Sequence, residues 1–83
     1  MPDQVLLEKH LADAKLSVQR GEERLAEQRA LLEQLSAAGR DTDLATTVLH
    51  LLDENLRLLI AHRDRLHAEL EKQRRAQPRD TKD

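Results

Sequence analysis

Apolar and small residues recur along the first half of the chain in alternating steps of four and three, with Gln28 in the one polar slot: Leu7, Leu11, Ala14, Val18, Gly21, Leu25, Leu32 and Leu35. This spacing is typical of a helix that packs lengthwise against another helix. Pro2 and Asp3 favour a helix start, because proline has no amide hydrogen to leave unpaired and a carboxylate is stabilised at the positive end of the helix dipole. The pattern predicts a first helix over residues 3–38.

The second half repeats the alternation, with seam positions at Ala45, Leu49, Leu52, Leu56, Leu59, Arg63, Leu66 and Leu70. Between the halves, Gly39 can take the left-handed backbone conformation that ends many helices. Asp41 and Thr42 are both candidates to cap the next helix, since their side-chain oxygens can accept hydrogen bonds from its first amides. Pro78 cannot continue that helix. These signals predict a turn at 39–42, a second helix over 43–76 and a frayed tail at 77–83.

A connection this short places the two helices side by side and antiparallel. The predicted fold is therefore all-α: a coiled-coil-like antiparallel two-helix hairpin that forms a single domain over residues 1–83. Folding the chain in the middle of the turn brings Gly21 near Leu59 and Leu25 near Leu56. A small residue then lies opposite a large one, as a tightly packed seam requires.

The second helix carries more apolar surface than one partner helix can cover. At 100° per residue its apolar arc spans roughly 200°, and the residues expected to lack cover are Leu44, Leu51, Leu58 and Ile60. Asn55 interrupts this surface and could fix the register of an interface, as one buried amide can. Contiguous apolar strips are rare on monomers and small chains have thin cores, so we predict a homodimer of two hairpins in a four-helix bundle. A different protein partner could cover the same surface.

Composition argues against several chemistries. The chain has no cysteine, and therefore no disulfide, no thiolate metal site and no cysteine nucleophile. Its four histidines do not combine with carboxylates at the spacing of a metal site, and no serine or threonine has a base and an acid at a recognisable spacing. We therefore predict no catalytic residue, no metal and no cofactor, and we do not expect an enzyme.

Charge and hydropathy argue against nucleic acid and membranes as partners. The formal net charge is −2 and the aromatic content is 0%, so neither a net attraction to phosphate nor a base-stacking side chain is available. Basic residues near the C-terminus are interleaved with acidic residues, so we expect any binding to nucleic acid there to be weak and strongly salt-dependent. No apolar run approaches the ~20 residues that cross a bilayer. No export signal opens the chain, so we expect a cytoplasmic protein.

Two short segments stand out from the heptads: Gly39-Arg40-Asp41-Thr42 in the turn and His62-Arg63 in the second helix. With them, most of the chain resembles short, largely uncharacterised bacterial proteins built as a helix, a Gly-x-Asp-Thr turn and a second helix with a C-terminal His-Arg element. The resemblance implies a bacterial cytoplasmic helical hairpin and carries no activity, cofactor or substrate. The packing of the two helices does not by itself require the His-Arg element. We therefore expect both residues to form a polar cluster at the hairpin or dimer seam, near Val18 and Glu22 or Glu23.

These patterns favour a non-enzymatic protein–protein interaction or scaffolding module that acts as a homodimeric helical bundle. Two alternatives stay open. One is a small adaptor or inhibitor that docks its leucine strip on another protein. The other is a weak nucleic-acid accessory protein that uses its basic C-terminal residues, which are Lys72, Arg74, Arg75, Arg79 and Lys82.

Overall fold

The structure, a computed structural model, describes residues 2–76 and consists there of two helices, α1 (Pro2–Ala37) and α2 (Asp43–Ala76). The helices run antiparallel, since Glu8 near the start of α1 contacts Arg74 near the end of α2. They form a rod of 70 × 16 × 14 Å. The predicted all-α hairpin is confirmed. The tail predicted at 77–83, with its basic residues, lies outside the described residues.

The end of α1 depends on a glycine in the left-handed conformation. Gly39 has φ 69°, and a Cβ atom there would meet nothing within 4 Å, so the requirement for glycine is conformational rather than steric. The amide of Gly39 donates to the carbonyl of Ser36 at 3.1 Å, and the amide of Arg40 donates to the carbonyl of Leu35 at 2.9 Å. This pair of hydrogen bonds is the Schellman motif, which satisfies the last carbonyls of a helix while the chain reverses.

The two residues proposed to cap α2 divide the task between them. Thr42 occupies the N-cap position, because its carbonyl accepts the first helical hydrogen bond from the amide of Thr46 at 2.9 Å. Asp41 supplies the side-chain acceptor, and its Oδ1 receives the amide of Asp43 at 2.9 Å. The first amide of α2 is thereby paired with a carboxylate, which the positive end of the helix also stabilises.

The core is a single seam between the helices, and every buried apolar residue occupies a predicted seam position: Leu11, Ala14, Val18, Leu25, Ala45, Leu56 and Leu70. At its centre, Gly21 lets the helices approach closely. A Cβ atom on Gly21 would lie 3.1 Å from Cδ1 of Leu56 and 3.3 Å from Cδ1 of Leu59. The predicted neighbourhood of Gly21 and Leu59 is therefore present, and the small residue is needed for packing.

Gln28, the polar slot of the α1 seam, ties that helix to the beginning of α2. Its Nε2 donates to the carbonyl oxygen of Ala45 at 3.0 Å. A partly buried hydrogen bond of this kind contributes about 0.5–1.5 kcal/mol, so the polar residue costs the seam little.

Candidate interaction surface

Three leucines on one face of α2 are left uncovered by the residues that the structure describes. Leu44 is 77% exposed, Leu51 60% and Leu58 69%. Successive members are seven residues apart, about two helical turns, so their side chains point in nearly the same direction. Their exposure agrees with the expectation from helical periodicity. It leaves an apolar face on a chain whose own seam is narrow.

Two residues between these leucines and one beyond Leu58 complete a second heptad seam. We call the whole set the α2 strip: Leu44, Val48, Leu51, Asn55, Leu58 and His62. Val48 is half-buried, whereas Asn55 and His62 are exposed. The steps alternate between four and three, which is the spacing that packs a helix against another helix along its length. α2 therefore carries two parallel seams, of which α1 covers one.

The α2 strip opens at the turn end into a groove between the two helices. The groove has a volume of about 320 Å³ and is lined by Gln28, Leu31, Leu35, Asp41, Leu44, Ala45 and Val48. Leu31 on its α1 side is 44% exposed. The heptad pattern of α1 does not assign Leu31 to an interface. Its neighbourhood with Leu44 arises because the turn brings the end of one helix beside the start of the next.

Ile60 departs from its expected position. It is half-buried and packs against the core cluster of Val18, Leu25 and Leu56. The expectation that Ile60 lacks cover within the chain is therefore wrong. It lies four residues beyond Leu56, on the same side of α2, and that side faces α1.

His62 and Arg63 have different surroundings, and the ion pair of Arg63 is with Asp64 rather than with Glu22 or Glu23. The polar cluster expected at the hairpin or dimer seam stays a prediction. His62 is an exposed member of the α2 strip. Arg63 instead donates to Oδ1 of Asp64, from Nε at 3.1 Å and from Nη2 at 3.0 Å. Consecutive helical residues are 100° apart around the helix axis. His62 and Arg63 therefore lie on different surfaces although they are neighbours in the sequence.

Arg63 belongs to a second concave region, on the side of the hairpin away from the α2 strip. This region has a volume of about 420 Å³ and is lined by Lys15, Arg63, Asp64 and His67. Because Arg63 already pairs with Asp64 and the latter is well exposed, the region is a solvated polar surface. The sequence pattern does not predict that these four side chains share one region of the surface.

Metal-ligating clusters, basic residues and apolar segments were the other features to locate in the described part of the chain. No three His, Cys, Asp or Glu side chains within it come together in a way that could hold a metal ion. Arg74, one of the basic residues near the end of α2, contacts Glu8 and Glu71 at 3.5 Å each. Neither α1 nor α2 contains an apolar segment of the length and composition that a bilayer crossing requires.

Comparison of the chain with family models, with curated proteins and with solved structures finds no match. Function must therefore be argued from the surface of the hairpin. The α2 strip and the groove at its turn end are the features that exceed what the fold itself requires.

Proposed function

We propose that the protein is a non-enzymatic interaction or scaffolding module that acts as a homodimer, with two hairpins packed as a four-helix bundle. The observation that carries the proposal is the exposure of Leu44, Leu51 and Leu58 along one face of α2. Burying a leucine fully contributes about 1.5–3 kcal/mol. A rod with one thin seam gains from such burial, because small domains often depend on a partner for stability.

The geometry of the α2 strip favours a helix as the partner surface. Its members follow a heptad rather than forming a rounded pocket, so a second helix laid along α2 would contact all of them. Another copy of the chain offers a helix of the same pattern, and closed two-fold dimers are the commonest assemblies of soluble proteins. Docking on a different protein, as an adaptor or inhibitor, would use the same surface.

Nucleic-acid binding receives less support. Among the described residues, the basic side chains near the end of α2 include Arg74, which contacts Glu8 and Glu71. The chain has no aromatic side chain to stack on a base. Titration with DNA at low and moderate salt tests this alternative, and we expect no binding at moderate salt.

The experiment that tests the homodimer is light scattering across a wide dilution series. We expect the wild-type chain to have twice the monomer mass, and the double variant Leu51→Gln/Leu58→Gln to have the monomer mass while it keeps its helical circular dichroism. Glutamine is a good helix former, so loss of association would not reflect loss of helix. The matched control is Leu16→Gln, which changes an exposed leucine of α1 and should leave the mass unchanged.

A wild-type chain that stays helical and monomeric at every concentration would contradict the homodimer. That result would favour the adaptor or inhibitor alternative, in which the α2 strip binds a different protein.

A further inference from the structure

The α2 strip is symmetric about Asp53. Leu44 and His62 lie nine residues on either side of it, Val48 and Leu58 five, and Leu51 and Asn55 two. Building on the proposed homodimer, we infer that two copies dock their α2 helices antiparallel, with the two-fold axis crossing the strip at the level of Asp53 along the helix. The facing pairs are then Leu44 with His62, Val48 with Leu58, and Leu51 with Asn55, so the entire strip is covered in one register.

The shape of the surface supports this orientation. At the turn end the strip is concave, because the groove between α1 and α2 lies there, lined by Leu31, Leu35 and Val48 among others. Beyond the groove the strip continues to Leu58, which projects with 69% of its surface exposed. Antiparallel docking places Leu58 of each copy opposite Val48 of the other, so a projecting leucine enters each groove. Parallel docking would set groove against groove.

The charges at the two ends of the strip support the same orientation. Asp41 borders the groove and Arg65 continues the column of Leu58 by one heptad, and each lies twelve residues from Asp53. Within the described residues neither one takes part in an ion pair. Antiparallel docking brings Asp41 of each copy towards Arg65 of the other. Parallel docking would oppose Asp41 to Asp41 and Arg65 to Arg65, and opposed like charges disfavour an assembly.

Asn55 is the feature that a parallel dimer would use best, because each asparagine would then face its equivalent, as in parallel coiled coils. In the antiparallel arrangement the two Asn55 residues lie on either side of the two-fold axis. They are about 6 Å apart along the direction of the helices, at a rise of 1.5 Å per residue. They form one polar break at the centre of the interface. A test must therefore separate these two orientations directly.

Cysteine cross-linking makes that separation, because the chain contains no cysteine of its own. The variants Leu44→Cys and His62→Cys are made singly, one of them with a mass tag, then mixed and oxidised under mild conditions. A disulfide needs Cα atoms about 4.4–6.8 Å apart. In the antiparallel dimer, residue 44 of one copy faces residue 62 of the other. The two residues 44 are then about 27 Å apart along the direction of the helices.

We expect the mixed disulfide between Leu44→Cys and His62→Cys to form at least tenfold faster than either like-with-like disulfide. The control mixes Leu44→Cys with Leu16→Cys, whose exposed position on the outer side of α1 reports random collision. Both tested positions are exposed, so the variants should fold, and circular dichroism checks this.

The outcomes distinguish the orientation from the dimer itself. Rapid disulfides between two copies of Leu44→Cys, and between two copies of His62→Cys, would establish a parallel dimer and overturn the inference while leaving the homodimer intact. No specific cross-link in a chain that light scattering shows to be dimeric would place the interface away from the α2 strip and also overturn it. A chain that is monomeric by light scattering would overturn the proposed function.

Discussion

The two seams of α2 have the same spacing but different surroundings. The inner seam, with Leu56 and Leu70, is buried against α1, whereas the outer seam, the α2 strip, exposes Leu51 and Leu58. Rotation about the helix axis separates them, and both follow a heptad. The comparison shows that a heptad pattern indicates which side of a helix is suited to contact another helix. Whether a helix of the same chain provides that contact depends on where the turn directs α1.

The largest expected effect is a difference in the free energy of unfolding between alanine variants of two leucines that lie two residues apart. Leu56→Ala removes a buried side chain at the centre of the seam, and large-to-small changes of this kind cost about 2–5 kcal/mol. Leu58→Ala removes an exposed side chain and should leave the stability of the isolated hairpin nearly unchanged. Urea unfolding at several protein concentrations checks this: the loss for Leu56→Ala should appear at every concentration, and any loss for Leu58→Ala only where the chain associates.

Equal losses for the two variants at high dilution would break the comparison. They would mean that Leu58 is packed within the single hairpin, contrary to its exposure.

The next effect concerns the closest approach of the two helices. Gly21→Leu inserts a side chain where a Cβ atom alone would lie 3.1 Å from Leu56 and 3.3 Å from Leu59. Overpacking of this kind costs about 1–3 kcal/mol. The matched control is Ala26→Leu, an exposed position of α1. Thermal unfolding should show a lower Tm for Gly21→Leu and little change for Ala26→Leu, and equal Tm values would mean that the seam is loose.

Asn55→Leu examines the polar break in the outer seam. If the α2 strip is an interface, an amide that lacks full hydrogen bonding there costs about 1–3 kcal/mol, and its replacement should tighten association by roughly tenfold or more. Sedimentation equilibrium measures the change in Kd. Weaker association would show instead that Asn55 makes a hydrogen bond across the interface, and an unchanged Kd would place Asn55 outside it.

The smallest expected effect is electrostatic. Arg65→Glu places a carboxylate opposite Asp41 at both ends of an antiparallel dimer, and exposed ion pairs contribute about 0.2–1 kcal/mol each. Association should weaken several-fold at low salt and less at high salt, because the Debye length falls from about 30 Å at 0.01 M to about 3 Å at 1 M. The control Arg20→Glu makes the same charge change at an exposed position of α1, away from the strip. An equal effect of both variants would mean that net charge alone is responsible.

Much of the fold follows from the sequence because its determinants are local. Gly39 and Asp41 act within a few residues of their own positions, through a left-handed φ and a side-chain hydrogen bond to Asp43. The approach of Gly21 to Leu59 also follows, since a short turn leaves little freedom in how two heptads align. The observed helices, Pro2–Ala37 and Asp43–Ala76, lie close to the predicted 3–38 and 43–76.

The candidate site was predictable only in part. Helical periodicity alone indicated the exposure of Leu44, Leu51 and Leu58. The partner of Arg63 was not predictable, because the long arginine side chain could reach several carboxylates and only the packed geometry selects Asp64. Ile60 was misassigned because it lies near the edge of a wide apolar arc, where a small rotation of the helix decides between cover and exposure.

By itself, the sequence determined two helices, the turn between them and the presence of two apolar seams on α2, because periodicity and capping act over a few residues. Only the tertiary structure decided which seam α1 covers, where the groove beside Leu31 opens and which acid Arg63 contacts. These features depend on how one helix rotates and settles against the other. That rotation follows from the burial of apolar side chains along the full length of both helices, so no short segment of the chain sets it alone.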